Sequence, residues 1–221
     1  VKARAFQTLK ARAGNEAEKP MSIATAVGPH AEMAIGVRRF DAVTIALHWT
    51  TVALIVGMFA TGWSMGLATD HDQEETLLYI HRSLGVLTWI TALGRITWRL
   101  GFAFLPPFPS AMPKIQQRAA HLSEYALYAI LLIQPLTGVA QSLTRGRPFP
   151  FLAWQAPAVM GRSKALTHIF HDIHEITAWV LLGLIAMHVA AALFHRFVVK
   201  DEVFGSMAPW RPARRRASPP G

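Results

Sequence analysis

From Ala42 to Leu67 the chain reads AVTIALHWTTVALIVGMFATGWSMGL, with no charged side chain. A bilayer's hydrocarbon core is ~30 Å thick and is crossed by about 20 mostly apolar residues in a helix. In lipid, each backbone N–H and C=O must find its partner inside the spanning element. A run of this length and composition therefore predicts a transmembrane helix. The whole chain agrees with it, since 52% of its 221 residues are hydrophobic, 16% are charged and the mean hydropathy is +0.28. That length accommodates one domain of about four such helices.

Three further spans follow. The second is expected from about Leu77 to Leu100, with His81 near its start and Arg95 and Arg99 near its end. Its uncharged stretch, Ser83 to Gly94, is short, so the span requires its arginines to reach the interface along their aliphatic stems. The connector GFAFLPPFPSAMPK holds four prolines and cannot continue a helix. A third span is expected from about Ala119 to Leu143, with Pro135 inside it as a kink. The long loop that follows, TRGRPFPFLAWQAPAVMGRSK, is expected to rest on the membrane surface through Phe149, Phe151 and Trp154. The fourth span runs from about Leu166 to Val199, and its first turns, with His168, His171 and Asp172, are expected to project into water.

The expected fold class is all-α: an integral membrane four-helix bundle over residues 38–201. A flexible polar tail (1–37) precedes it and a basic tail (202–221) follows. The first tail lacks the apolar core of a secretory signal. The chain opens on Val1 with Met21 and Met33 downstream, so the expected start of translation includes positions inside this tail.

The formal charge is +9, a value that raises nucleic acid as a partner until the basic residues are sorted by side. Of 22 lysines and arginines, 17 fall in residues 1–41, around the junction of spans two and three, and in the C-terminal segment. That bias predicts that both termini are cytoplasmic. The charge is then a topology signal and a contact with anionic lipid, and nucleic acid is not expected as a partner. Cysteine is absent, which excludes iron–sulfur clusters and covalently attached c-type heme.

Imidazoles inside apolar helices are costly unless the bundle uses them. His174 and His188 lie fourteen residues apart in HEITAWVLLGLIAMH. On a helix this separates them by ~21 Å and almost four full turns, so both rings face nearly the same way at two depths. With four alternating spans, His48 and His188 share the cytoplasmic level, and His81 and His174 share the outer one. Two imidazoles on facing helices at one depth can hold a heme iron between them, leaving no position for a small ligand, which favours electron transfer. The four histidines are thus candidate axial ligands for two hemes. His121, also near the cytoplasmic face, is the rival to His48.

These residues also carry a family resemblance: IALHW at 45–49, YIHRSLG at 79–85, AAHLSEYALY at 119–128, RGRP at 145–148, HEITAW at 174–179 and HVAAALFHRFVVKD at 188–201. In order and spacing the chain resembles the bacterial cytochrome b561 family, related to the b-type subunits of nickel–iron hydrogenases and formate dehydrogenases, over about Arg38 to Asp201. The resemblance implies two b hemes ligated by His48, His81, His174 and His188, a multi-pass protein of the bacterial inner membrane, and electron exchange with a quinone pool. It further implies superoxide, or a redox partner protein, as a donor at the outer face.

An anion would be drawn to Arg145, Arg147, Arg162 and Lys164 of the outer loop. The same cations are equally suited to lipid phosphates or heme propionates, and Arg82, beside the proposed ligand His81, is expected to pair with a propionate ahead of an anionic donor. Two other functions compete with a stand-alone oxidoreductase. One is a heme-bearing anchor subunit for a larger dehydrogenase or hydrogenase. The other is a heme-free transporter using the same histidines, which the position of Asp41, Glu124, Asp172 and Glu175 near span ends disfavours.

Overall fold

The computed structural model describes residues 39–209; the expected tail over 1–37 and the end of the basic tail, 210–221, lie outside the described residues. Four long helices account for most of what is described: α1 (Ala42–Met65), α2 (His71–Gly101), α3 (Lys114–Thr144) and α4 (Lys164–Phe194). A short hairpin, β1 (Phe149–Phe151) and β2 (Trp154–Ala156), interrupts the last connection, and α5 (Val203–Met207) follows α4.

Local chemistry fixes the helix starts. Asp41, Asp70 and Ser163 cap α1, α2 and α4, accepting from the backbone N–H of Thr44, Gln73 and Leu166. Each thereby satisfies one of the orphan donors of a first turn. Asp41 does more, because its carboxylate also accepts from Thr44 Oγ1 (2.6 Å), Trp98 Nε1 (3.0 Å) and Phe104 N (3.3 Å). One side chain thus ties the start of α1 to the end of α2. Beyond Phe194 the helix widens into a π turn, His195–Val199, and stops at Lys200, whose φ is 59°.

Helix α1 packs along α2, α3 packs along α4, and α2 joins the two hairpins by meeting α3. All four contribute to one apolar cluster, in which Ala92, Ile130, Leu131 and Leu181 are buried and Ile55 and Phe59 pack against them. The buried polar residues are small or amide-bearing: Thr51, Thr88, Gln134, Thr137, Ser142 and Thr144. Large apolar side chains such as Val56, Ile90, Ile176 and Trp179 are more than half exposed. Apolar groups outside and small polar groups between helices are the pattern of a protein whose solvent is lipid.

Three helices are long and apolar enough to cross a membrane: α1, α3, and α4 with its π turn. Helix α2 falls short by composition. Its arginines are directed at α3 and the hairpin: Arg95 lies over the Tyr128 ring, Arg99 pairs with Glu124 at 2.8 Å, and Arg82 donates to Ser142 Oγ and lies over the Phe149 ring.

The connection between α3 and α4 differs from the surface-lying segment expected. Leu152 N donates to Ser83 Oγ (2.8 Å) and Tyr79 Oη donates to the Leu152 carbonyl (2.5 Å), so the hairpin is strapped onto α2. Phe149 is buried beneath Arg82 and does not face lipid, because the cation–π contact and the pairing with β2 turn it inward. Trp154 remains exposed. The start of the basic tail is also built in. In α5 and just after it, the carbonyls of Ser206, Met207 and Ala208 accept from Phe40 N, Trp49 Nε1 and Arg39.

Candidate functional site

The helices bring the four candidate histidines together as two pairs. The His48 and His188 ring centroids are 6.3 Å apart with planes at 55°, and those of His81 and His174 are 6.2 Å apart at 76°. The apolar cluster lies between the pairs along the helices: Leu181 is midway between His174 and His188 on α4, and Ile55 and Phe59 follow His48 on α1. The pairs therefore occupy opposite ends of the described core.

The His81/His174 pair, termed outer after the topology expected from the sequence, with His48/His188 as the inner one, has a matched set of supports. Thr61 Oγ1 is 3.0 Å from His81 Nδ1, and Thr137 Oγ1 is 2.8 Å from His174 Nδ1. Each hydroxyl also contacts a carbonyl of its own helix, Gly57 at 2.8 Å and Gln134 at 2.7 Å respectively. A hydroxyl has one hydrogen, and two oxygens this close require it between them. Each threonine therefore donates to its carbonyl and accepts from the ring. Both rings carry their proton on Nδ1, leaving Nε2 as the lone-pair nitrogen; that of His174 lies 3.5 Å from the Gln134 side-chain nitrogen, at the long limit of a hydrogen bond.

In each case the residue after the threonine is glycine. A Cβ on Gly62 would meet His81 Cε1 at 3.5 Å, and one on Gly138 would meet His174 Cε1 at 3.1 Å, so α1 and α3 pass each ring at backbone distance. Gln134 closes the outer site, donating to the His174 carbonyl (2.9 Å) and accepting from Thr177 Oγ1. The inner pair has no such dressing. His48 Nδ1 is buried without a hydrogen-bond partner among the described residues, and His188 is the only exposed member of the four. Arg95 is the nearby charge for both inner rings, as Arg82 is for His81.

Do these residues fit an iron held by two imidazoles? A metal–imidazole bond of ~2 Å and a ring whose bonds are near those of other C–N groups put two trans ring centroids ~6 Å apart. Both observed separations match. Bonded Nδ1 groups that free Nε2 are the usual outer support of a ligating histidine. No group of three or more histidine, cysteine, aspartate or glutamate side chains among the described residues could hold a bare metal ion. Two nitrogens per site instead suit an iron whose other four ligands come from a porphyrin.

The secondary candidates fall elsewhere. His121 stacks near Phe108 and Tyr125 and lies 4.0 Å from Glu124, half exposed and apart from both pairs. Arg82, Arg147 and Glu75 line an open cavity of about 160 Å³ beside the hairpin, and Arg147 pairs with Glu75 at 3.5 Å. Arg145 caps the end of α3 close by, where its charge reaches Arg82. Residue reading missed Thr61, Thr137, Gln134 and both glycines. A repeated Thr-Gly, at 61–62 and 137–138, was the available signal.

The family model for prokaryotic cytochrome b561 matches residues 39–210, nearly all of the described chain. The chain belongs to the prokaryotic cytochrome b561 family. Among curated relatives of this family, cytochrome b561 homolog 2 of Escherichia coli K12 is 30% identical over 173 residues, 76% of this chain and 90% of that one. Cytochrome b561 homolog 1 of the same organism is 29% identical over 178 residues, covering 78% and 98%. The probable superoxide oxidase CybB of Yersinia pestis is 23% identical over 172 residues, 78% and 97%. As a cytochrome b561 family member the chain is a bacterial membrane protein of electron transfer, and the family implies heme b.

Proposed function

We propose that this chain is a two-heme membrane cytochrome passing single electrons between a donor at the outer face and the quinone pool. The observation that carries this reading is the presence of two histidine pairs, with ring centroids 6.3 and 6.2 Å apart, at opposite ends of one helical core. His48 and His188 serve the cytoplasmic site, and His81 and His174 the outer one. All four long helices span, α2 included, because its arginines have partners on α3 and the hairpin, and both termini are cytoplasmic by the lysine and arginine bias.

Heme, when bound, supplies an iron that accepts and releases one electron. The chain's own residues do the rest. His48, His188, His81 and His174 would hold the two irons through their Nε2 atoms and so leave no room for small ligands, the helices would exclude water, and Arg82 and Arg95 would offer cations to acidic groups at the two ends. Superoxide is the donor class favoured for the outer face. The Y. pestis relative is named for it, and Arg82, Arg145 and Arg147 gather positive charge around the cavity beside the outer pair.

The test is an oxidised-minus-reduced absorption spectrum of the purified chain with heme and protein quantified, followed by mixing with superoxide and quinone. Two low-spin b hemes per chain, reduced by superoxide and reoxidised by quinone, are expected. Two hemes without superoxide-driven reduction would indicate an anchor subunit for a larger enzyme, and a chain that takes up no heme would end the reading.

A further inference from the structure

We infer that Thr61 and Thr137 lower the reduction potential of the site held by His81 and His174, acting through the Nδ1 protons of its two rings. The inference rests on the two-heme reading and adds to it the means by which the chain tunes one of the two sites. Both outer rings donate from Nδ1 to a threonine oxygen, at 3.0 and 2.8 Å, while the inner His48 Nδ1 is buried without an acceptor among the described residues and His188 is exposed.

An imidazole that shares its Nδ1 proton with an acceptor is the more basic ligand at Nε2. More electron density at the iron favours its oxidised state, and axial ligation and hydrogen bonding are among the protein's main means of setting a heme potential. The competing influence is charge, since a cation nearby favours the reduced state. Arg82 stands by the outer pair with Arg145 and Arg147 near it, the latter paired with Glu75, and Arg95 stands by the inner pair. Removing the threonine acceptors leaves all of these charges in place, so the threonine contribution can be read by itself. Both threonines lie on helices other than those of the rings they hold, α1 against α2 and α3 against α4, so each is a positioning residue that acts through a ligand.

A potentiometric titration of the heme-loaded protein, followed by its spectrum, tests this. Wild type should titrate in two steps, and H188A, which retains only the outer heme, identifies which step belongs to the outer site. The T61V and T137V variants, which keep the side-chain shape and remove the acceptor, should each shift that step upward and leave the other in place. T61S and T137S should restore it. Because a valine variant can fail to assemble, the same substitutions made in H188A provide a second arm, in which the single remaining step should rise. Movement of the other step, or no movement of the outer step in variants that retain its heme, would overturn the inference. A protein without heme, by contrast, would overturn the underlying function and not this tuning alone.

Discussion

A Cβ built on Gly138 would stand 3.1 Å from His174 Cε1, a separation tighter than ordinary side-chain contact, so a side chain on α3 here would require the ring to give way by a few tenths of an ångström. The equivalent approach of Gly62 to His81 is looser, at 3.5 Å. Gly138→Ala should therefore push the His174 ring off its Thr137 acceptor and lower heme retention at the outer site several-fold, whereas Gly62→Ala should retain close to the wild-type amount. Heme-to-protein ratios of the two purified variants decide it, and equal loss from both would show that ring clearance is not the controlling contact.

Single histidine substitutions should divide into two classes by spectrum. His48→Ala and His188→Ala should remove one heme signal, and His81→Ala and His174→Ala the other, because the members of each pair face one another. His121→Ala should remove neither, since its ring contacts Phe108 and Tyr125, not another histidine.

Acid should loosen the junction that Asp41 holds. Burial alone raises the Asp41 carboxyl, but hydrogen bonds from Thr44, Trp98 and Phe104 outweigh it and hold the group below its usual value. A depressed acid contributes stability that is present above its unfolded value, about 4, and is lost as pH falls through the folded one. Asp41→Ala should cost about 1 kcal/mol as a lost helix cap, and should flatten the acid limb of a thermal-stability profile in detergent. An unchanged acid limb would assign the acid sensitivity to other carboxylates.

Electrostatic attraction of an anionic donor makes a prediction in salt. Arg147→Gln should slow the bimolecular reaction of the protein with superoxide and weaken its dependence on ionic strength, because exposed charges act over about 10 Å at 0.1 M salt. Glu75→Gln should do the reverse, as it releases Arg147 from its 3.5 Å partner. Stopped-flow rates between low and moderate salt measure both effects.

The family and the helical membrane character were legible because both reside in local pattern: long uncharged runs, and histidines at fixed places within them. What escaped depended on register between helices. Thr61 and Thr137 look like any other small residues of an apolar run, and only the packing of α1 on α2 and of α3 on α4 sets each against an imidazole. Phe149 read as an interfacial aromatic because its burial depends on Arg82, 67 positions earlier in the chain. The beginning of the basic tail read only as a topology signal and a lipid contact because three carbonyls of α5 and its end, not its side chains, tie it to residues 39–49.

The cluster of Ala92, Ile130, Leu131 and Leu181 offers no hydroxyl, carboxylate or imidazole along which a proton could hop. Thr88 and Gln134, buried one turn away from it, carry no ionisable group. In the proposed two-site protein an electron crossing this stretch would travel without a compensating proton, so each turnover would move one net charge through the membrane's electric field. That transfer is weighted by about 2.3 kcal/mol for every 100 mV across the full membrane. The polarity of the living membrane, and not only the supply of donor, would set how fast such a protein can run.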